Sequence, residues 1–309
     1  ANSLNNLANL YQDMGDYARA EPLYQRSLKI IEKVSGPDHP DTATFLNNLA
    51  GLYSKMGDYA RAEPLHQRCL KIREKVLGPD HPHTAASLGN LAALYDSMGD
   101  PARAEPLYDR SLKINEKVLG SEHPETARSL NNLAELYRGI GDYASAEPLY
   151  DRSLKIIEKV LGPDHPITAI ALNNLATLYR SIGDYARAEP LYDRALKINE
   201  KVLGPDHPNT AISLSHLGGL YLKMGDYSRA EALTQRVLKI REKVLGPDHS
   251  YTTSAIFSLA HLEILKKNFD KALAYFKTGL KKQDSHISNV FSIATEQQKF
   301  KFIQSVEHS

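Results

Sequence analysis

The stretch Met14-Gly15-Asp16-Tyr17-Ala18-Arg19-Ala20 decides the fold, because close copies of it return every 42 residues along the chain. No insertion interrupts this spacing, so the register of the copies is unambiguous. A fixed period of this length is typical of proteins built from stacked supersecondary units. The further copies are Met56–Ala62, Met98–Ala104, Ile140–Ala146, Ile182–Ala188, Met224–Ala230 and a decayed one at Lys266–Ala272.

Each period predicts two helices. The first carries apolar residues spaced three and four apart over Leu4–Tyr11 and ends at Gly15, which suits a left-handed C-terminal position. The second begins at Asp16, a favourable N-cap residue, and its apolar stripe continues to Val34. The loop Gly36-Pro37-Asp38-His39-Pro40 then breaks the chain, and its last proline fits the first position of the next helix.

Strand signals are missing from every period. A single helix pair cannot bury its apolar face, whereas stacked copies can. We therefore predict an all-α solenoid of stacked antiparallel helix pairs. We expect six 42-residue units over residues 1–252, a seventh, degenerate unit over residues 253–282 and a C-terminal capping or linker helical segment over residues 283–309. Because the first copy starts inside its first helix, we also expect the sequence to be part of a longer array or multidomain protein.

These residues resemble the tetratricopeptide repeat. The period together with Asn5-Asn6-Leu7-Ala8, Ala20-Glu21-Pro22-Leu23 and Gly78-Pro79-Asp80-His81-Pro82 resembles its kinesin-light-chain type, over residues 1–281. The resemblance implies a right-handed superhelix in which the first helix of each pair lines the concave surface, and in that family asparagines on this surface hold peptide backbone. The characteristic positions of the repeat are occupied here by Leu4, Ala8, Tyr11, Gly15, Tyr17, Ala20 and Tyr24.

Composition excludes several functional classes. The 309 residues include 38 basic and 37 acidic ones, and this balance gives no global reason to expect a nucleic acid or an anionic membrane as partner. No apolar run approaches the roughly 18 residues of a membrane span, and the first residues show no signal peptide. The single cysteine, Cys69, excludes an internal disulfide and a Cys-based zinc cluster. We predict a cytoplasmic protein without a cofactor or metal.

Asparagines recur on the side of the first helix that lies opposite the apolar stripe, as the rotation of roughly 100° per residue dictates. An Asn side chain offers both an acceptor and a donor, so a row of them can pair with the backbone of an extended peptide. The alternative is a merely polar, hydrated face, but Asn is disfavoured in helices by up to ~0.7 kcal/mol relative to Ala. The predicted peptide groove includes Asn6, Asn48, Asn90, Asn132 and Asn174 at the sixth position of the period and Asn47, Asn131 and Asn173 at the fifth.

Side chains that vary between copies flank this row. Basic residues outnumber acidic ones among them, and a histidine replaces Asn at the sixth position of the sixth copy. We predict that the uniform row reads peptide backbone while the varied side chains select an extended segment with some acidic residues. The varied groove residues are Lys55, Arg138, Arg180 and His216.

The predicted function is a non-enzymatic protein-protein interaction scaffold whose partner is a protein or peptide, with no nucleic acid and no membrane. The alternative is a regulatory or autoinhibitory sensor arm of a larger effector, which engages its own protein, for instance a missing downstream domain. Phosphate-loop, His-Glu-x-x-His and Gly-x-Ser-x-Gly motifs are all missing. Six loop histidines from His39 to His249 lie in a row rather than converge, and Cys69 takes a slot of small packing residues. Catalysis and metal binding are therefore not predicted.

The last copy departs from the pattern. Phe257, Ile264 and Leu265 turn its groove side apolar, and the segment over residues 283–309 is expected to cap the solenoid or to dock another domain. Within it, Phe291–Gln298 resembles the segment that joins such repeats to a caspase-like CHAT peptidase domain in bacterial proteins. Repeats of this type also follow nucleotide-switch domains in signalling ATPases.

Overall fold

The structure, a computed structural model, describes residues 1–293, with side chains through residue 283. All regular secondary structure in these residues is helical, which confirms the all-α prediction. None of the described helices is both long and apolar enough to cross a membrane. The helices are α1 (Asn2–Asp13), α2 (Tyr17–Ser35), α3 (Pro40–Lys55), α4 (Tyr59–Leu77), α5 (Pro82–Ser97), α6 (Pro101–Leu119), α7 (Pro124–Ile140), α8 (Tyr143–Leu161), α9 (Pro166–Ile182), α10 (Tyr185–Val202), α11 (Pro208–Met224), α12 (Tyr227–Leu245), α13 (Ser250–Leu265) and α14 (Phe269–Ile293).

The helices form two compact units, one over Ala1–Gly162 and one from Pro163 onward. In the first unit each helix from α1 to α8 packs against the next, and the same holds for α9 to α14 in the second. This is the predicted stacking of helix pairs, confirmed within each unit. Alanines such as Ala8 and Ala20, which are 0% exposed, let paired helices approach closely, and leucines such as Leu46 fill the space between pairs.

The turn inside each pair is built from the fold-deciding stretch. Gly15 adopts a φ of 75°, in the left-handed region that glycine occupies without strain. The Asp16 carboxylate then accepts a hydrogen bond of 3.1 Å from the Arg19 backbone N–H and so caps α2. Equivalent caps start α4, α6, α8, α10 and α12, which confirms the predicted N-terminus of the second helix in these pairs.

The arginine of the same stretch ties consecutive repeats together. The Arg61 guanidinium lies 4.1 Å from the centre of the Tyr53 ring and 2.6 Å from a carboxylate oxygen of Glu21 in the preceding repeat. Arg103 and Arg229 repeat this arrangement in their own copies. In these copies the arginine is therefore held by contacts within the repeat array rather than left free for a ligand.

The loop histidines act as helix caps. Nδ1 of His39 accepts a hydrogen bond of 3.2 Å from the Asp41 backbone N–H, and Pro40 occupies the first turn of α3 as predicted. The Thr42 hydroxyl donates a 2.7 Å bond to the Gly36 carbonyl and closes the loop. The five later loop histidines cap α5, α7, α9, α11 and α13 in the same way, so their regular spacing has a structural cause.

One register position on the second helix, here called the ring position, fills the space inside each pair. Tyr24 and Tyr192, for example, are 1% and 0% exposed. In the sixth copy the residue is a threonine. The ring position is occupied by Tyr24, His66, Tyr108, Tyr150, Tyr192, Thr234 and Phe276 in chain order.

The last helix, α14, continues past the seventh copy as far as Ile293. The expected capping or linker segment over residues 283–309 therefore begins as a continuation of this helix. Its residues 294–309 lie outside the described residues, as does most of the stretch Phe291–Gln298. The capping role and the CHAT resemblance stay predictions.

Candidate peptide-binding face of the first helices

The asparagines of consecutive first helices are hydrogen-bonded to one another. Nδ2 of Asn48 on α3 donates to Oδ1 of Asn5 on α1 at 3.1 Å. Nδ2 of Asn90 on α5 donates to Oδ1 of Asn47 on α3 at 2.7 Å. Each bond joins the sixth position of one repeat to the fifth of the repeat before it, a sequence separation of 43. The row therefore links repeats as well as presenting amides, a role that the sequence analysis missed.

The fifth position is more enclosed than the helical rotation predicts. Asn5 is 8% exposed and Asn173 is 5% exposed, because the next first helix packs over this position. Asn173 donates a 3.2 Å bond to the Ser213 hydroxyl on α11, and its Oδ1 is buried without a partner. The structure thus places Asn173 inside the second unit rather than on its surface, whereas Asn47 and Asn131 are half-buried.

Several amide groups of the row remain open to solvent. Asn132 on α7 lies opposite Gly89, which has no side chain to accept its amide, and no hydrogen bond engages it within the described part of the chain. Asn6 is exposed, and Asn48, Asn90, Asn132 and Asn174 are half-buried. Among described side chains, unpartnered buried oxygen atoms occur only at Asn173 and Asn199. The unpaired atoms of Asn48, Asn90 and Asn132 are therefore reachable by a ligand.

Arg138 is already paired. Its guanidinium forms an ion pair with Glu135, one turn earlier on α7, and the Tyr150 hydroxyl donates to the same carboxylate at 2.5 Å. Burial acts to raise the pKa of Glu135, but the hydrogen bonds from Arg138 and Tyr150 outweigh it and leave this pKa below its ordinary value. Glu135 therefore stays ionised and neutralises Arg138, which weakens the predicted attraction of Arg138 for an acidic partner.

Arg180 and His216 meet in the second unit. The Arg180 guanidinium lies against Gly219. A Cβ added at Gly219 would be 2.9 Å from Nη1 of Arg180. The His216 ring stacks on Tyr192 with centroids 5.7 Å apart. Burial, and secondarily the Arg180 charge, lower the pKa of His216, so this imidazole is neutral near pH 7. Arg180 has no ion-pair partner within the described residues, and neither does Lys55, which is exposed at the end of α3.

The apolar residues of the last copy divide into two groups. The Phe257 ring packs against Phe276 at 6.0 Å and over Gly279 on α14, so it belongs largely to the contact between α13 and α14. Ile264 and Leu265 are 39% and 37% exposed and form the open part of this apolar surface.

Among the described residues, the side chains that could hold a metal ion are dispersed and the cysteine is buried. The described residues contain no cluster of three or more His, Cys, Asp or Glu side chains that could hold a metal ion. Cys69 is 0% exposed, and its sulfur lies 3.4 Å from the Ser87 hydroxyl. Burial raises the pKa of the Cys69 thiol, which disfavours the reactive thiolate.

We expect Cys69 to react with a thiol reagent only after local or global unfolding. Its reaction with Ellman's reagent should be at least about a hundredfold slower in the native protein than in denaturant, because the closed state must open first. The absorbance of the released thiol measures both rates. Similar rates in the two conditions would contradict a purely packing role.

A family model of the tetratricopeptide repeat matches six overlapping segments that together span residues 1–284. The chain belongs to the tetratricopeptide-repeat family. This confirms the resemblance, and such repeats generally mediate protein interactions. The matched segments are residues 1–75, 41–117, 97–155, 125–201, 181–243 and 217–284.

Solved structures agree with the kinesin-light-chain type. A protein from Podosopora anserina, described as a kinesin light chain with nearly identical TPR-like repeats, is 29% identical over 67% of this chain and 98% of that chain, with a TM-score of 0.58. BtubC (BKLC) from P. vanneervenii is 28% identical over 74% of this chain and 92% of that chain, with a TM-score of 0.62. The search of curated proteins gave no match.

A third solved structure shows the fold alone. It is a signal-transduction ATPase with numerous domains and a tetratricopeptide repeat sensor, from Pyrococcus horikoshii. It is 16% identical over 94% of this chain and 43% of that chain, with a TM-score of 0.60. The role of a regulatory arm in a larger effector stays a prediction for the present chain.

Proposed function

We propose that this repeat array is a non-enzymatic interaction scaffold that holds an extended peptide or partner segment against its first helices. The observation that carries the proposal is the set of asparagine pairs. Each pair fixes the orientation of two amides by one hydrogen bond and leaves other donor and acceptor atoms of the same amides open. Side chains that are fixed before binding lose less conformational entropy when a ligand arrives.

The chemistry of the open atoms suits peptide backbone. Asn48 uses one of its two amide N–H groups on Asn5, so its second N–H and its Oδ1 remain. Asn90 is in the same state, and Asn132 retains its whole amide. An extended peptide offers alternating N–H and C=O groups. A row of amides can pair with these groups regardless of the peptide's side chains.

Selectivity then comes from the charged neighbours. Because Glu135 neutralises Arg138, the predicted groove cations that can still attract an acidic side chain of a partner are Lys55 in the first unit and Arg180 in the second. Each would contribute modestly at an exposed site and would lose most of that contribution at high salt. Each unit therefore has one predicted groove cation that can favour an acidic segment.

Replacing Asn132 by alanine tests the proposal without disturbing a bond between repeats. Peptides are first selected from a phage-displayed library of random nine-residue sequences on the wild-type chain, and their Kd values are measured by fluorescence polarisation. A lost hydrogen bond costs about 0.5–1.5 kcal/mol, so Asn132→Ala should weaken binding by roughly two- to tenfold. Its melting temperature should not fall, because the Asn132 amide bonds to nothing in the described chain and alanine is the better helix former.

Two further variants serve as comparisons for Asn132→Ala. Asn48→Ala removes the bond to Asn5 and should lower both the affinity and the melting temperature. Lys33→Ala changes an exposed residue of α2 and should alter neither. Selected peptides that bind Asn132→Ala and Asn48→Ala as tightly as the wild type would rule out the asparagine row as the binding element.

A further inference from the structure

The sixth repeat lacks the ring that its neighbours bury. Tyr150 and Tyr192 are 1% and 0% exposed at the ring position, whereas the sixth repeat has Thr234 there. One helix earlier, Gly218 stands where the first five copies have alanine. A cavity of about 680 Å³ occupies the space between α11, α12 and α13 next to these two residues. Its volume lies in the range of ligand-binding pockets.

The packing around Gly218 does not require glycine. A Cβ added at Gly218 would lie 3.6 Å from Leu233 Cβ and 3.7 Å from the Thr234 hydroxyl, which are ordinary contact distances. An alanine would therefore fit as it does in the other copies. The cavity lies beside two positions at which other copies have larger residues, and its lining includes the exposed residues Ser215 on α11 and His261 on α13.

A cation without a carboxylate partner lines the same cavity. In the second repeat Arg73 donates to the Ser87 hydroxyl at 2.9 Å and to the His83 carbonyl at 3.0 Å. Arg241, at the same register position, donates to the Tyr251 carbonyl at 2.8 Å, but alanine replaces the serine. Burial lowers the pKa of the Arg241 guanidinium, as expected for a cation that has lost part of its hydration.

The single carboxylate among the residues that line the cavity is already engaged. Asp248 lies 3.9 Å from the Lys282 ammonium. It forms no ion pair with Arg241 in the described chain, so donors of Arg241 remain for a ligand. A hydrogen bond to a charged donor of this kind is stronger than one between neutral groups.

The two features are spaced along one face of α12. Thr234 and Arg241 are seven residues apart, which is two helical turns and about 10 Å. Three residues of an extended peptide span about the same distance. A ring next to Thr234 and a carboxylate next to Arg241 can therefore belong to one short extended segment.

We propose that the cavity of the sixth repeat is the anchor site of the bound peptide, which inserts a ring-bearing side chain beside Thr234 and sets a carboxylate about three residues away against Arg241. The inserted ring replaces the one that other repeats supply from their own second helix. This inference rests on the proposed scaffold function and names the chemistry of its partner at one position. A buried aromatic anchor in a preformed pocket is also where binding energy concentrates in protein interfaces.

The same random nine-residue library provides the test on the whole 309-residue chain. Selected peptides should be enriched in Tyr, Phe or Trp with Asp or Glu about three positions away. Thr234→Tyr fills the cavity as in the fourth and fifth repeats and should weaken these peptides about tenfold or more. Replacing the peptide carboxylate by its amide should weaken binding to the wild type but not to Arg241→Gln.

Two further variants are compared with Thr234→Tyr. Gln235→Tyr adds the same ring at an exposed position one residue further and should leave the Kd unchanged. Gly218→Ala narrows the cavity without a clash, should raise the melting temperature because alanine is the better helix former, and should weaken binding several-fold. Selected peptides that bind the wild-type chain but tolerate Thr234→Tyr and Gly218→Ala would overturn the anchor alone. A library that yields no binding peptide would overturn the scaffold and the anchor together.

Discussion

Replacing Tyr150 by alanine is expected to remove about 3–5 kcal/mol from the free energy of unfolding of the first unit. The Tyr150 side chain is 1% exposed and fills the interior of the α7 and α8 pair, so truncation leaves a cavity there. The change also removes the hydroxyl that donates to Glu135 at 2.5 Å. Both losses destabilise the folded state.

Tyr150→Phe separates the two contributions. It retains the ring and should cost about 1.5–3 kcal/mol at most, the range for a hydrogen bond to a charged group. Native-state hydrogen exchange of the α7 and α8 amides is the suitable measurement, because repeat arrays do not always unfold in one step. A loss below about 1 kcal/mol for the alanine variant would show that neighbouring side chains collapse into the space.

In the sixth repeat, Thr234 occupies the register position that Tyr150 occupies in the fourth. The Tyr150 ring fills the interior of the fourth repeat and stabilises it. Thr234 is too small to fill the equivalent space, and an open cavity remains in the sixth repeat. Binding sites commonly carry such a cost in stability. Thr234→Tyr should therefore raise the melting temperature while it weakens peptide binding, and this opposite response distinguishes a functional cavity from a mere packing defect.

The helices and their ends were predictable from local chemistry. The 42-residue period fixed the register, and the N-cap at Asp16 and the proline at Pro40 define their helix ends by backbone constraints that need no tertiary information. The loop histidines were predicted to lie in a row rather than to converge on one site. Their capping role was missed, because the hydrogen bond from the Asp41 N–H to His39 Nδ1 is specific to the loop geometry.

The site was only partly predictable, for physical reasons. Helical rotation places Asn5 relative to its own helix, but its burial is decided by α3, which packs beside it. The bond from Asn48 to Asn5 depends on the rotation between neighbouring repeats, which no single repeat encodes. The pairing of Arg138 with Glu135, three residues apart on one helix, was within reach of the sequence.

The cavity of the sixth repeat could be predicted from the sequence only in part. Aligning the copies on their period exposes Thr234 and Gly218 as the small members of their columns. The alignment cannot show that the freed space stays open, because neighbouring side chains could have filled it. Only the three-dimensional structure shows that the space stays open. A Cβ at Gly218 would meet its nearest neighbours at ordinary contact distances, and the cavity remains beside it.

Stability is also expected to fall as the pH is lowered, through His66. This imidazole is 5% exposed at the ring position of the second repeat, and burial lowers its pKa to about 4 from an ordinary value of 6.5. The unfolded chain therefore binds a proton more readily than the folded one. The contribution of His66 is complete above the unfolded pKa and is lost progressively as the pH falls from 6.5 towards 4.

At about 1.4 kcal/mol per pH unit, the loss between pH 7 and pH 5 should be roughly 2 kcal/mol. Surface carboxylates and His216 also titrate, so the informative quantity is the difference between the wild type and His66→Tyr, in which the ring position matches Tyr24 and Tyr108. Urea unfolding at both pH values measures it. If the two proteins lose the same stability on acidification, His66 accepts its proton without leaving the folded interior, and the second repeat must be more hydrated than its burial indicates.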